Sequence, residues 1–231
     1  VKGTKMIIAS NFKMNHTRKS TFEFLEKLSK VETNHTLRVY PPASALCENK
    51  FIGAQNGYPA EKGSFTGEIG LEQISEFNID KILIGHSERR NILNESQQFI
   101  TEKFNFYKNN RFEINYCIGE PLEIREKGID EVINYLKSQL NGIDLSYERL
   151  IIAYEPVWAI GTGVTASIEE INETHNRLRE FIKSPILYGG SVKVENIDKI
   201  CEIENVDGVL IGTASWNVDN FIEMIKKVEG E

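Results

Sequence analysis

Short runs rich in β-branched and aromatic residues recur along this chain, each followed by a polar stretch and usually by a helical pattern. Strands are expected near Met6–Ala9, Leu37–Tyr40, Phe51–Gln55, Lys81–Ile84, Glu113–Cys117, Leu150–Tyr154, Ile186–Tyr188 and Gly208–Ile211. Strands alternating with helices pair in parallel, because the helix supplies the crossover that a parallel pair needs. Eight such units in 231 residues average about 29 residues each, roughly the size of a βαβ repeat. An open doubly wound sheet and a closed barrel both satisfy this pattern. The barrel is favoured, because eight repeats close a sheet and remove its edges. No Pro-rich or Gly/Ser-rich linker divides the chain, so residues 1–231 are expected to form one α/β domain, a single (β/α)8 barrel.

Helix starts are also legible. Ser20 with Glu23, Asn94 with Gln97, and Ser167 with Glu170 each have the spacing of an N-cap and its N3 partner. After the last pair, Ile171, Leu178 and Ile182 repeat at helical spacing, which predicts one buried face.

Bulk properties exclude several function classes. The formal charge of −7 argues against nucleic acid as a partner, although a few local donors can still hold a phosphate. Cys47, Cys117 and Cys201 lie far apart without a CxxC, and His16, His35, His86 and His175 lack metal-ligand spacing. Neither a disulfide framework nor a metal is expected. No apolar run reaches the ~18 residues of a membrane span, and Met6-Ile7-Ile8-Ala9 is too short for a leader core. A cytoplasmic protein without a membrane association is the expectation.

The positions of the polar residues carry the functional signal. Asn11 and Lys13 follow the first expected strand, His86 the fourth and Glu155 the sixth. Gly189-Gly190-Ser191 follows the seventh, and Gly212-Thr213 the eighth. All lie just past strand C-termini, the face on which barrel enzymes build their active sites. The last two turns suit a phosphate, held by backbone N–H groups.

Several motifs then read together: Asn11-Phe12-Lys13-Met14-Asn15, Ala54-Gln55-Asn56, Phe65-Thr66-Gly67-Glu68-Ile69, Gly85-His86-Ser87-Glu88-Arg89-Arg90, Cys117-Ile118-Gly119-Glu120, Ala153 to Gly163 and Tyr188-Gly189-Gly190-Ser191. In this order, over nearly the whole chain, they resemble the triosephosphate isomerases. The resemblance implies a TIM barrel that interconverts dihydroxyacetone phosphate and D-glyceraldehyde 3-phosphate through an enediol(ate), without a cofactor. It implies Glu155 as base and His86 as a neutral electrophile, its pKa lowered by the helix beginning beside Ser87. Lys13 would offset negative charge and Asn11 would position it. Gly161, Ser191, Gly212 and Thr213 would grip the phosphate, and Glu88 and Cys117 would support the site. Residues 156–166 resemble the family's lid. The loop containing Thr66 resembles its interface loop, implying a homodimer in which Thr66 approaches the partner subunit's site.

Taken alone, a histidine after a strand is more often a hydrogen-bonded structural group, and a lone lysine is usually solvated. The surrounding motifs are what set His86 and Lys13 apart, whereas His16, His35 and His175 read as structural and Cys47 and Cys201 as packing residues. Phe12 stands where the family usually has Trp, Val164 replaces a commonly basic residue, and Thr213 and Trp216 stand where Gly and Leu are common. Thr213 therefore leaves two loop conformations open: an ordinary φ, or a strained positive one. A Schiff-base aldolase would need a lysine at a central strand end, where the chain has Glu155. A non-catalytic scaffold would have no need of Asn11, Lys13, His86 and Glu155 together.

Overall fold

The computed structural model describes residues 5–160 and 165–230. Seven strands lie parallel: β1 (Ile7–Asn11), β2 (Thr36–Tyr40), β3 (Lys81–Ile84), β4 (Glu113–Ile118), β5 (Leu150–Tyr154), β6 (Ile186–Tyr188) and β7 (Gly208–Ile211). Their spatial order is β2-β1-β7-β6-β5-β4-β3. The two ends of this row are joined by the segment expected as the third strand, which bridges Val39 through Ile52 and Ile82 through Ala54. Main-chain bonds of 2.8–2.9 Å run from Val39 N–H to Phe51 O, Gly53 N–H to Val39 O, Ala54 N–H to Lys81 O and Leu83 N–H to Ala54 O. The ring thereby closes into a (β/α)8 barrel.

That segment is narrower than the expected Phe51–Gln55 strand. Gly53 passes so close to the Tyr40 ring that a Cβ there would lie 2.5 Å from Cε1. Gln55 then leaves the ladder and donates its side-chain N–H to the carbonyls of Lys13 and Tyr40, at 2.7 and 2.9 Å.

Nine helices occur among the described residues: α1 (Arg18–Leu28), α2 (Leu71–Ser75), α3 (Ser87–Asn91), α4 (Gln97–Asn109), α5 (Leu122–Arg125), α6 (Ile129–Gln139), α7 (Ile168–Arg179), α8 (Ile197–Cys201) and α9 (Val218–Glu229). Two expected caps are displaced. Helix α1 is capped by Thr17, and Ser20 is its N3 partner, accepting the Thr17 N–H at 3.0 Å. Helix α4 is capped by Ser96, whose hydroxyl accepts from Phe99 N–H; Asn94 sits at a φ of 56°, outside the extended region that a cap adopts. Ser167 and Glu170 form the expected reciprocal pair at α7.

The strands are buried on both faces, as a parallel sheet requires, and all five residues of β5 are buried. Ala9, Tyr40, Leu83, Cys117, Ala153, Leu187 and Leu210 fill the barrel interior. Alternate residues such as Ile8, Val39, Ile152 and Val209 pack outward in the larger core with the helices. Ile171, Leu178 and Ile182 are buried as expected, and His175 joins them. The cysteines are free and buried. None of the described helices is long and apolar enough to cross a membrane.

Candidate active site

A cavity of about 480 Å³ opens at the C-terminal ends of the strands. Its lining includes Asn11, Lys13, His86, Glu155, Ser191, Gly212 and Thr213. Every described residue expected in the site is thus brought to one place. Gly161, expected at the lid tip, and Val164 lie outside the described residues.

Asn11 is the last residue of β1 rather than the first beyond it, and is only 5% exposed. Its Oδ1 accepts the Lys13 N–H at 2.9 Å. Lys13 has a φ of 51°, a costly backbone for a side chain of this size, held by Asn11 on one side and Gln55 on the other. The Lys13 ammonium donates to Glu88 Oε1 at 2.7 Å. Behind this loop, Phe12 is fully buried, stacked on His16 and edge-on to Phe24.

His86 caps α3. Gly85 makes the turn into it at a φ of 76°, with its carbonyl accepting from Arg90 Nε at 2.7 Å. The His86 Nδ1 accepts the Glu88 N–H at 3.3 Å, which leaves the proton of the neutral ring on Nε2. That Nε2 lies 3.1 Å from Glu155 Oε1, and the Ser87 N–H donates to Glu155 Oε2 at 3.3 Å. The expected lowering of the His86 pKa is corrected in this arrangement. Burial lowers it most, but the Glu155 charge and hydrogen bond, with Glu88, outweigh burial and leave the pKa raised.

Glu155 follows β5 and is 2% exposed. Its side chain fits because Gly189 lacks a Cβ, which would stand 2.8 Å from Glu155 Cγ. Burial, then the Glu155 charge, pushes the neighbouring Cys117 thiol well above its ordinary pKa, so it stays protonated. Beyond Glu155, the turn Val157–Ala159 holds Trp158, whose indole donates to the buried Glu120 at 3.0 Å.

The opposite wall is main chain. The N–H groups of Ser191, Gly212 and Thr213 make no hydrogen bond to another described residue. Gly212 has a φ of −90°, and Thr213 opens a 310 turn (Thr213–Ser215) without a positive φ. The ordinary-φ alternative therefore holds, and the threonine carries no left-handed strain. Lys193, Glu195 and Asn220 also line the cavity and were not anticipated. Gln55, in the Ala54-Gln55-Asn56 motif, gains its part in the site only through the fold, which brings its amide to the Lys13 carbonyl.

A buried carboxylate–imidazole pair facing a lysine and three available amides, on the C-terminal face of a parallel barrel, defines a phosphate-binding enzyme of acid–base chemistry. The family model described as triosephosphate isomerase matches residues 6–228. Curated proteins named triosephosphate isomerase are similar over nearly the full length. That of Nitratiruptor sp. is 55% identical over 226 residues, covering 96% of this chain and 97% of the relative. That of Wolinella succinogenes is 53% identical over 232 residues, covering 96% and 100%. That of Sulfurovum sp. is 55% identical over 227 residues, covering 95% and 99%. The chain belongs to the triosephosphate isomerase family. It is an isomerase of glycolysis that interconverts dihydroxyacetone phosphate and D-glyceraldehyde 3-phosphate.

Proposed function

We propose that Glu155 is the base and His86 the electrophile of this isomerisation. The observation that carries the reading is the 3.1 Å approach of His86 Nε2 to Glu155 Oε1 inside a cavity whose far wall offers Lys13 and backbone amides. Glu155 takes a proton from C1 of dihydroxyacetone phosphate, and His86 donates its Nε2–H to the carbonyl oxygen as charge moves there. His86 Nε2 then takes back the C1 hydroxyl proton while Glu155 delivers its proton to C2, which gives the aldehyde and restores both side chains. This division of labour is the family's own and comes to the chain with the resemblance. A substrate entering between the two side chains removes the Glu155 contact, the largest influence raising the His86 pKa. Burial and the α3 N-terminus remain, both favouring the neutral imidazole.

Lys13, freed from Glu88, offsets the phosphate and the developing oxyanion, with Asn11 positioning it. The amides of Ser191, Gly212 and Thr213 bind the phosphate, joined by Gly161 when the lid closes. The chain forms one barrel domain that supplies these residues. It works in the cytoplasm as a homodimer, with the loop containing Thr66 entering the partner subunit. Phe65, an exposed aromatic beside Thr66, supports this reading.

An assay of the purified protein on D-glyceraldehyde 3-phosphate, coupled to reduction of the ketone product, tests the roles through Lys13→Ala. Both kcat and kcat/KM are expected to fall, because the charge acts in ground and transition states. Unchanged values would return Lys13 to the solvated surface.

A further inference from the structure

Strand β1 pairs with β7 as far as Ser10 opposite Ile211. One more step of the ladder would give the Asn11 carbonyl to the N–H of Thr213. The chain instead leaves the sheet at Gly212 and enters the 310 turn, so that step is missing. The Asn11 carbonyl takes the indole N–H of Trp216 at 3.0 Å. A second tie lies beside it: the Ser10 and Ser215 hydroxyls are 2.6 Å apart, and Ser215 Oγ also donates within its own turn. Lys13 is close across the same gap, since a Cβ on Gly212 would stand 3.4 Å from Lys13 Cε.

We propose that Trp216 is a positioning residue for the isomerisation, tying the turn that presents the Gly212 and Thr213 amides to the loop that presents Asn11 and Lys13. Its indole supplies the donor that the ladder gives up, so the Thr213 amide is left without a main-chain partner at the cavity lining while the Asn11 carbonyl stays satisfied. The distance between the two halves of the anion site is thereby set by this side-chain hydrogen bond on its outer side together with the Ser10–Ser215 contact. In this chain the large indole sits at 216 and a phenyl ring at 12, and Phe12 packs inward on Phe24 and His16 without reaching the turn by hydrogen bond. The inference rests on the reading of Lys13 and the turn amides as phosphate ligands.

Trp216→Phe keeps an aromatic ring and removes the donor; Trp216→Leu removes both. In each, KM for D-glyceraldehyde 3-phosphate and the inhibition constant of inorganic phosphate should rise together by about fivefold, about 1 kcal/mol at 1.4 kcal/mol per decade. The two variants should agree on this rise even though only Trp216→Leu loses the ring's packing. Lys13→Ala is measured in parallel. If it weakens phosphate while Trp216→Phe binds phosphate and substrate like the parent, the positioning role is wrong and the phosphate reading survives. If Lys13→Ala leaves phosphate inhibition unchanged, the phosphate reading fails and the inference falls with it. A lower melting temperature with parental KM and phosphate inhibition would make Trp216 a packing residue alone.

Discussion

Glu155 owes its position to an absence just past the end of the neighbouring strand. With a Cβ on Gly189 only 2.8 Å from Glu155 Cγ, Gly189→Ala must push the carboxylate aside or shift the β6 turn. Displacement of a base by a fraction of an ångström to an ångström costs up to about a hundredfold in rate. The expected result is a lower kcat with phosphate inhibition nearly unchanged, read by steady-state kinetics; a parental kcat would show that the base tolerates the move. The His86 imidazole gives a second handle. Glu155 is the main influence raising its pKa, and burial the main one lowering it. Glu155→Gln should therefore move the His86 titration to lower pH, read from its ring proton shifts by NMR. A titration that stays in place or moves upward would mean that the pair is not coupled as the 3.1 Å contact implies.

At the scale of elements, the turn after β7 and the helix α7 make separate demands. Thr213 has an ordinary φ, so Thr213→Gly relieves no strain and loosens the turn slightly. KM and phosphate inhibition should change by no more than about tenfold, about 1.4 kcal/mol, with kcat nearly constant. A large fall in kcat at constant phosphate inhibition would move Thr213 into lid closure or chemistry. On α7, His175 is fully buried with Nδ1 against the Asn205 carbonyl at 2.9 Å. Burial lowers its pKa to about 4 from 6.5. The unfolded chain then takes up this proton first as pH falls, so the stability from the neutral ring is complete above about pH 6.5 and is lost as pH drops toward 4. Between pH 7 and 5 the loss is roughly 2 kcal/mol. His86, with its raised pKa, contributes in the opposite direction, so urea unfolding of the chain is compared with that of His175→Gln. The variant should lack this slope; equal slopes in both would remove His175 as its source.

The elements also show what could be read in advance. The strands and Ser167–Glu170 were legible because periodicity and capping act over a few neighbouring residues. Thr17 and Ser96 were not distinguished from Ser20 and Asn94, since Ser, Thr and Asn can all cap a helix and the backbone decides among them. The third barrel segment looked like an ordinary strand because Phe51-Ile52 carries the apolar pattern; its narrowing depends on the distant Tyr40 ring. Gln55 and Trp216 were invisible as partners for the same reason, because each hydrogen-bonds a carbonyl whose position only the closed barrel sets.

For the whole molecule, the Thr66 loop projects as an exposed strip, with Phe65 stacked on Tyr58 at 4.0 Å. A homodimer would cover this strip and bring Thr66 toward the partner subunit's Asn11 and Lys13. Light scattering at micromolar concentration should give twice the 26.3 kDa chain mass, and a fully active monomer would sink the assembly. The most direct test of the central claim is the turnover of Glu155→Gln on D-glyceraldehyde 3-phosphate, measured beside its inhibition by inorganic phosphate. With Glu155 as the base, kcat should fall by roughly three to four orders of magnitude while the phosphate inhibition constant stays within about threefold. A near-parental kcat in a folded, phosphate-binding variant would contradict it and remove Glu155 from the proton transfer.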